Sequence, residues 1–160
     1  MSPNNLEIIR NDLLHAVSDH GFQYICHQTN CISTYAKGIA ESIFAQYPQA
    51  NIYVERTDKI NHRDRYARVS VHAPVINLYG QVAPGKASPD PRSMDCRRHR
   101  TGAFKTAIMH VGKIEGITSV AFPFGIGCGL AGGDWAEYAR VIEHFARNHP
   151  AIRVGLFQKR

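Results

Sequence analysis

The sequence has no apolar run approaching the roughly 20 residues a bilayer-spanning helix needs, which excludes such a helix and any membrane partner built on one. It has no basic stretch followed by an apolar one near Met1-Ser-Pro-Asn-Asn5, so no secretory leader is expected. Its four cysteines, Cys26, Cys31, Cys96 and Cys128, form no C-x-x-C pair. Reduced thiols in a cytoplasmic setting are therefore expected rather than disulfides. Cys26, Cys31, Cys96 and His99 match no standard zinc spacing, so no metal and no cofactor is expected. There is no G-K-[ST], which excludes a P-loop, and there is no internal repeat.

What is present fits one domain over residues 1–160, with 1–5 as a tail and enough chain to bury a core. The net charge of +6 attracts anions of any kind, nucleic acid included. Much of the excess lies in Arg92, Arg97, Arg98 and Arg100, inside a Pro-, Gly- and Arg-rich segment over 80–100. Such a long basic loop reads as a solvated surface loop, a lid, a disordered segment or a nucleic-acid contact. It lacks interleaved aromatics for base stacking, which argues against sequence-specific single-strand binding.

Strands and helices alternate along the chain. Leu6–Ile9, Phe22–Cys26, Arg68–Ala73, Val75–Tyr79, Thr118–Phe122 and Ile152–Phe157 read as strands. A short helix opens at Asn11-Asp12 and carries Leu13, Leu14 and Val17. A second runs from Gly38 to Tyr47, stopped by Pro48, a third from Ala103 to Glu115, and a fourth carries Trp135, Tyr138, Ile142 and Phe145. His27–Lys37 reads as a polar loop. The pattern predicts an α/β layered domain with a parallel or mixed central sheet, and ligands in such sheets sit at the carboxyl ends of strands.

Pro123-Phe-Gly-Ile-Gly-Cys-Gly-Leu-Ala-Gly-Gly-Asp-Trp135 is the most telling stretch. Five glycines between a strand and a helix let the backbone approach a ligand and aim N–H groups at it, which suits phosphate. Gly127-Cys-Gly129-Leu-Ala-Gly132 also satisfies G-x-G-x-x-G. The dinucleotide reading needs a further strand ending in an acidic residue that binds ribose. Here the next strand ends in Gln158-Lys-Arg160, so that reading is set aside.

Several segments together resemble the macro domain family. They are Asn11-Asp12-Leu13, His27-Gln-Thr-Asn-Cys31, Lys37-Gly-Ile-Ala40, Val75-Ile-Asn-Leu-Tyr-Gly-Gln81 and Ala121–Trp135. The chain is most similar to the branch that processes ADP-ribose 1''-phosphate, near the terminal ADP-ribose glycohydrolase type. The resemblance implies a three-layer α/β/α fold with a mixed central sheet. It implies binding of ADP-ribose or a derivative, and hydrolysis of ADP-ribose 1''-phosphate to ADP-ribose and phosphate. Removal of ADP-ribose from protein or nucleic acid, and non-catalytic reading of ADP-ribose, are its alternatives.

Residue roles carried by the resemblance are these. Asp12 would accept from the adenine amino group, and Phe157 would stack on adenine. Asn30 would bind the distal ribose hydroxyls. Lys37, Gly38, Ile39 and Ala40 would border the diphosphate on one side. Phe124, Gly125, Ile126, Gly127, Cys128, Gly129 and Leu130 would wrap it from the other.

Each residue also has a plainer reading. Asp12 and Asp134 stand where helix caps stand, and Asn30 is suited to bracing its own loop. Asn77 suits a satisfied core amide, and Trp135 lies at core spacing. The glycohydrolase type uses a lysine after the middle strand and an aspartate after Gly-Cys-Gly-Leu; Gly80 or Gln81 and Ala131 stand there instead. Ser33-Thr-Tyr-Ala36 departs from the family's Gly-x-Met-Gly, with Tyr35 placed to pack over the distal ribose or narrow the pocket. His27 and Asp134 are then the candidate catalytic pair, since imidazole suits proton transfer at neutral pH. A structural histidine bonded to backbone is the competing reading of His27.

Overall fold

The computed structural model describes residues 2–54, 56 and 64–159, so Met1 and Arg160 lie outside it. Six strands form one sheet: β1 (Leu6–Ile9), β2 (Tyr24–Asn30), β3 (Val69–His72), β4 (Val75–Gln81), β5 (Ser119–Pro123) and β6 (Arg153–Phe157). Their order across the sheet is β1-β6-β5-β2-β4-β3. Every neighbouring pair is parallel except β3 with β4, which is an antiparallel hairpin, so the sheet is mixed.

The helices are α1 (Ala16–His20), α2 (Ile39–Gln46), α3 (Arg97–Val111) and α4 (Trp135–Asn148). Period-two alternation along the strands assigns the two faces of the sheet. Cys26, Ile76, Phe122 and Leu156 pack with Phe104, Ile108, Ile142 and Phe145 of α3 and α4. Their chain neighbours Ile25, Val75, Ala121 and Phe157 pack with Leu13, Ala16, Ile43 and Phe44 on the other side. The result is the expected α/β/α sandwich with a core on each side of the sheet.

Three local expectations are corrected. β2 does not stop at Cys26 but runs on through His27, Gln28 and Thr29 to Asn30, laddered against Asn77–Gln81 of β4. The polar side chains concealed this, because a central strand need not be apolar to its carboxyl end. α3 begins at Arg97 rather than Ala103, so the irregular segment after β4 is confined to 82–96 and three of the four arginines are helical. Asn5 is tied down at the supposed tail: its amide donates to the carbonyls of Ala146, His149 and Ile152 at 2.9, 3.0 and 2.7 Å.

The five parallel strands all end on one edge of the sheet. The loops after β2, β4 and β5 therefore rise side by side, and their order across the sheet is β5, β2, β4.

Candidate functional site

A cleft of about 670 Å³ opens over the carboxyl ends of β5, β2 and β4. One wall is the glycine loop after β5. Its backbone folds on itself, with Ile126 N–H donating to Pro123 O, Cys128 to Gly125, Gly132 to Gly129 and Gly133 to Gly127 at 2.9–3.1 Å. Gly125 and Gly127 hold φ near +79° and +77°, a conformation that favours glycine. Among the described residues, the amides of Gly125, Gly127, Gly129, Leu130 and Ala131 make no hydrogen bond. All five residues line the cleft.

The opposing wall is the start of α2. Its N-cap is Gly38 at φ 62°, with no side chain capping the first turn. Gly38, Ile39 and Ala40 line the cleft, and their amides likewise have no partner among the described residues. Uncapped first-turn N–H groups carry the positive end of the helix dipole. The two walls nearly touch: a methyl on Gly38 would stand 3.3 Å from Leu130 Cδ1.

The floor is polar and neutral. Gln28 Nε2 donates to Gln81 Oε1 at 2.7 Å, and Gln81 Nε2 donates to Ala83 O at 2.9 Å. Asn30 Oδ1 accepts from Ile32 and Ser33 N–H at 3.0 and 2.7 Å, bracing its own loop. Its backbone N–H donates to Tyr53 Oη at 3.0 Å. Burial pushes the Tyr53 phenol up to about 12, so it remains a neutral hydroxyl at working pH. Lys37 is the one charged side chain on the described lining, with its ammonium 5.5 Å from the Tyr35 ring centre.

No family model and no curated protein matches the sequence. Solved structures do match. A protein of unknown function from Bacteroides thetaiotaomicron is 21% identical, with 96% of this chain and 98% of that one covered at a TM-score of 0.66. The macrodomain of Mycobacterium tuberculosis DarG is 17% identical, with 95% and 96% covered at 0.68. The chain has the macrodomain fold. A mutant Oceanobacillus iheyensis macrodomain with ADPR is 13% identical, with 98% and 87% covered at 0.62.

Within this macrodomain fold the cleft gathers Asn30, Lys37, Gly38, Ile39, Ala40, Phe124, Gly125, Ile126, Gly127, Gly129 and Leu130. Three expected ligand contacts stand elsewhere. Cys128 turns its Sγ back to Ile126 O at 3.3 Å. Asp12 caps the turn after β1, accepting from Leu14 N–H at 3.0 Å, and pairs with Lys159 at 3.5 Å. Phe157 is buried edge-on against Phe22 and His20, so neither ring face is free for stacking.

The candidate catalytic pair is not a pair. His27 is fully buried, points away from the described lining, and has its Nε2 2.6 Å from Asn77 Oδ1. Burial lowers its pKa to about 4 despite that hydrogen bond. Asp134 caps α4 by accepting from Ala136 N–H at 2.9 Å and pairs with Arg97 at 3.0 Å. Neither touches the cleft, and the capping and structural readings account for both. Among the described lining residues there is no carboxylate, imidazole or thiol.

Sequence reasoning missed Gln28, Thr29, Tyr53, Pro84 and Gly85 as lining residues. Gln28 and Thr29 were legible in principle, being adjacent to Asn30 at a strand's carboxyl end. Tyr53, Pro84 and Gly85 reach the site only through tertiary packing.

Proposed function

We propose that the chain binds ADP-ribose, with the diphosphate held between the glycine loop and the first turn of α2. The observation that carries this reading is the pair of opposed, unpartnered amide sets bordering one cleft: Gly38, Ile39 and Ala40 on one wall, and Gly125, Gly127, Gly129, Leu130 and Ala131 on the other. These amides border an open cleft and have no partner among the described residues, so they are free to donate to a bridging dianion. The neutral amides of Asn30, Gln28 and Gln81 suit sugar hydroxyls, which both donate and accept. The solved macrodomain with ADPR supports the same ligand.

Hydrolysis of ADP-ribose 1''-phosphate, or of ADP-ribose carried on protein or nucleic acid, is the second reading. What favours it is the length of the amide set: Leu130 and Ala131 continue it past Gly125, Gly127 and Gly129, and would meet charge on a further phosphate. Such chemistry does not run through His27 and Asp134.

Calorimetric titration with ADP-ribose, alongside phosphate release from ADP-ribose 1''-phosphate, tests both. Saturable one-to-one binding is expected. Absence of binding would refute the first reading, and binding without release would leave the chain a reader of ADP-ribose.

A further inference from the structure

We infer that Arg100 and Asp95, neither of which lines the cleft, are positioning residues that hold the wall over the ligand's distal ribose; the inference rests on the ADP-ribose reading above.

The wall is the segment after β4, where Pro84 and Gly85 line the cleft. Its main chain converges on one buried ion pair. Arg100 Nη1 donates to Gly85 O at 2.7 Å, and Nη2 donates to Ala83 O and Lys86 O at 3.0 and 3.3 Å. Arg100 Nε and Nη2 also donate to the two Asp95 carboxylate oxygens at 2.8 and 2.9 Å. Those oxygens in turn accept from Val82 and Ala83 N–H at 2.7 and 3.0 Å. Both residues are buried, Arg100 at 2% exposure and Asp95 at 8%. The guanidinium is thus neutralised and its donors are committed to the wall, so its charge is not available to a ligand.

A buried ion pair is a poor way to gain stability, because desolvation offsets the attraction. Its planar fork is well suited to fixing geometry. Here the fork fixes the carbonyls of 83, 85 and 86, the stretch that borders the cleft. Beyond Gly85 the wall reaches the glycine loop itself: the Lys86 stem lies 3.3–3.7 Å from the place a Gly132 methyl would occupy. The segment that reads in the sequence as a lid, a disordered segment or a solvated basic loop is a tethered wall.

Sheet order says which part of the ligand this wall covers. The diphosphate sits between the loop after β5 and α2, which follows β2. The wall follows β4, one strand further from β6 and β1. Asn30, Gln28 and Gln81, the neutral amides assigned above to sugar hydroxyls, stand at the ends of β2 and β4, so the distal ribose lies on the wall's side and meets it beyond the diphosphate. ADP-ribose reaches it, and ADP stops short.

The test is calorimetric affinity for ADP-ribose and for ADP in the wild type, Arg100→Lys and Asp95→Asn. Each variant is expected to weaken ADP-ribose about tenfold, the worth of one misplaced hydrogen bond, with ADP unchanged. Because both residues are buried, Gly85→Ala provides a route that leaves the core intact: φ there is +76° and an added methyl meets nothing within 4 Å. It is expected to give the same selective loss. Equal weakening of both ligands, or no change in either, would overturn the positioning role. A wild type that binds ADP-ribose no tighter than ADP would overturn the wall's contact with the distal ribose. A wild type that binds neither would overturn the ligand reading itself.

Discussion

His27 sits inside the sheet with a hydrogen bond whose direction can be deduced. Asn77 Nδ2 donates to Ala50 O at 3.0 Å and to Ser70 Oγ at 3.3 Å, so its Oδ1 is the acceptor. His27 Nε2 therefore carries the proton, and the buried Nδ1 has no partner. Protonating Nδ1 would bury a charge facing no anion, which is why the pKa falls to about 4. The unfolded chain takes up that proton near pH 6.5, so between pH 6.5 and about 4 the unfolded state binds more protons than the folded one. Stability is then full above pH 6.5 and is lost as pH falls through this window, by up to about 3 kcal/mol at 1.36 kcal/mol per unit. Urea titrations across that range are expected to show the slope in the wild type and its loss in His27→Gln. His27→Ala is expected to cost about 2–4 kcal/mol for the cavity and the stranded Asn77 amide, and to leave ADP-ribose affinity unchanged. Nothing in His-Gln-Thr-Asn-Cys separates a buried imidazole from a catalytic one. The alternation that buries it belongs to a strand whose polar end hid its length. The helix-cap reading of Asp134, by contrast, was fully legible, because a carboxylate one residue before a periodic apolar helix satisfies local donors whatever surrounds it.

At the scale of the element, the glycine loop is where sequence and structure agree most closely, because its geometry is local. Five glycines between a strand and a helix leave few backbone alternatives, and the structure uses them for two different purposes. Gly133 is required by packing: a methyl there would stand 2.6 Å from Gly127 O and 2.6 Å from the Tyr138 ring. Gly129 is not: its φ is ordinary and an added methyl meets nothing within 4 Å. Gly133→Ala is accordingly expected to lower thermal stability by about 1–3 kcal/mol and to weaken binding with it. Gly129→Ala is expected to keep the melting temperature and still weaken ADP-ribose about tenfold, because the methyl occupies the space of the approaching phosphate. Parallel melting and titration of the two variants check this. A Gly129→Ala protein with native affinity would mean that the ligand does not approach that amide. The start of α3 was not legible in the same way. Arg97–Arg100 is charged on every side, and its helical state comes from tertiary partners: Asp134 and Glu137 for Arg97, and Asp95 with the wall for Arg100.

At the scale of the whole molecule, the charge of +6 is not concentrated where the sequence suggested. Arg92 pairs with Asp90 at 3.2 Å, Arg97 with Asp134 and Glu137 at 3.0 and 3.4 Å, and Arg100 is buried. Exposed pairs of this kind add little stability, but they do remove the field of a continuous basic patch. The proposed anion site is instead built from backbone dipoles on two elements that only the folded sheet brings together. Binding there must therefore stabilise the fold as a whole. At a free ADP-ribose concentration of about 100 times Kd the gain is about 2.7 kcal/mol. For a domain of this size each kcal/mol raises the melting temperature by about 2–4 °C, giving a shift of roughly 5–11 °C. An unmodified single-stranded oligonucleotide at the same concentration is expected to give no shift at moderate salt. Nucleic acid held by phosphate contacts loses affinity with salt in proportion to the contacts made, whereas two charges enclosed by amides release few counterions. Melting curves with ADP-ribose and with oligonucleotide, each at low and high salt, separate the two cases. A large oligonucleotide shift that vanishes with salt would return the function to the arginines. A salt-tolerant ADP-ribose shift assigns it to the amides of the cleft.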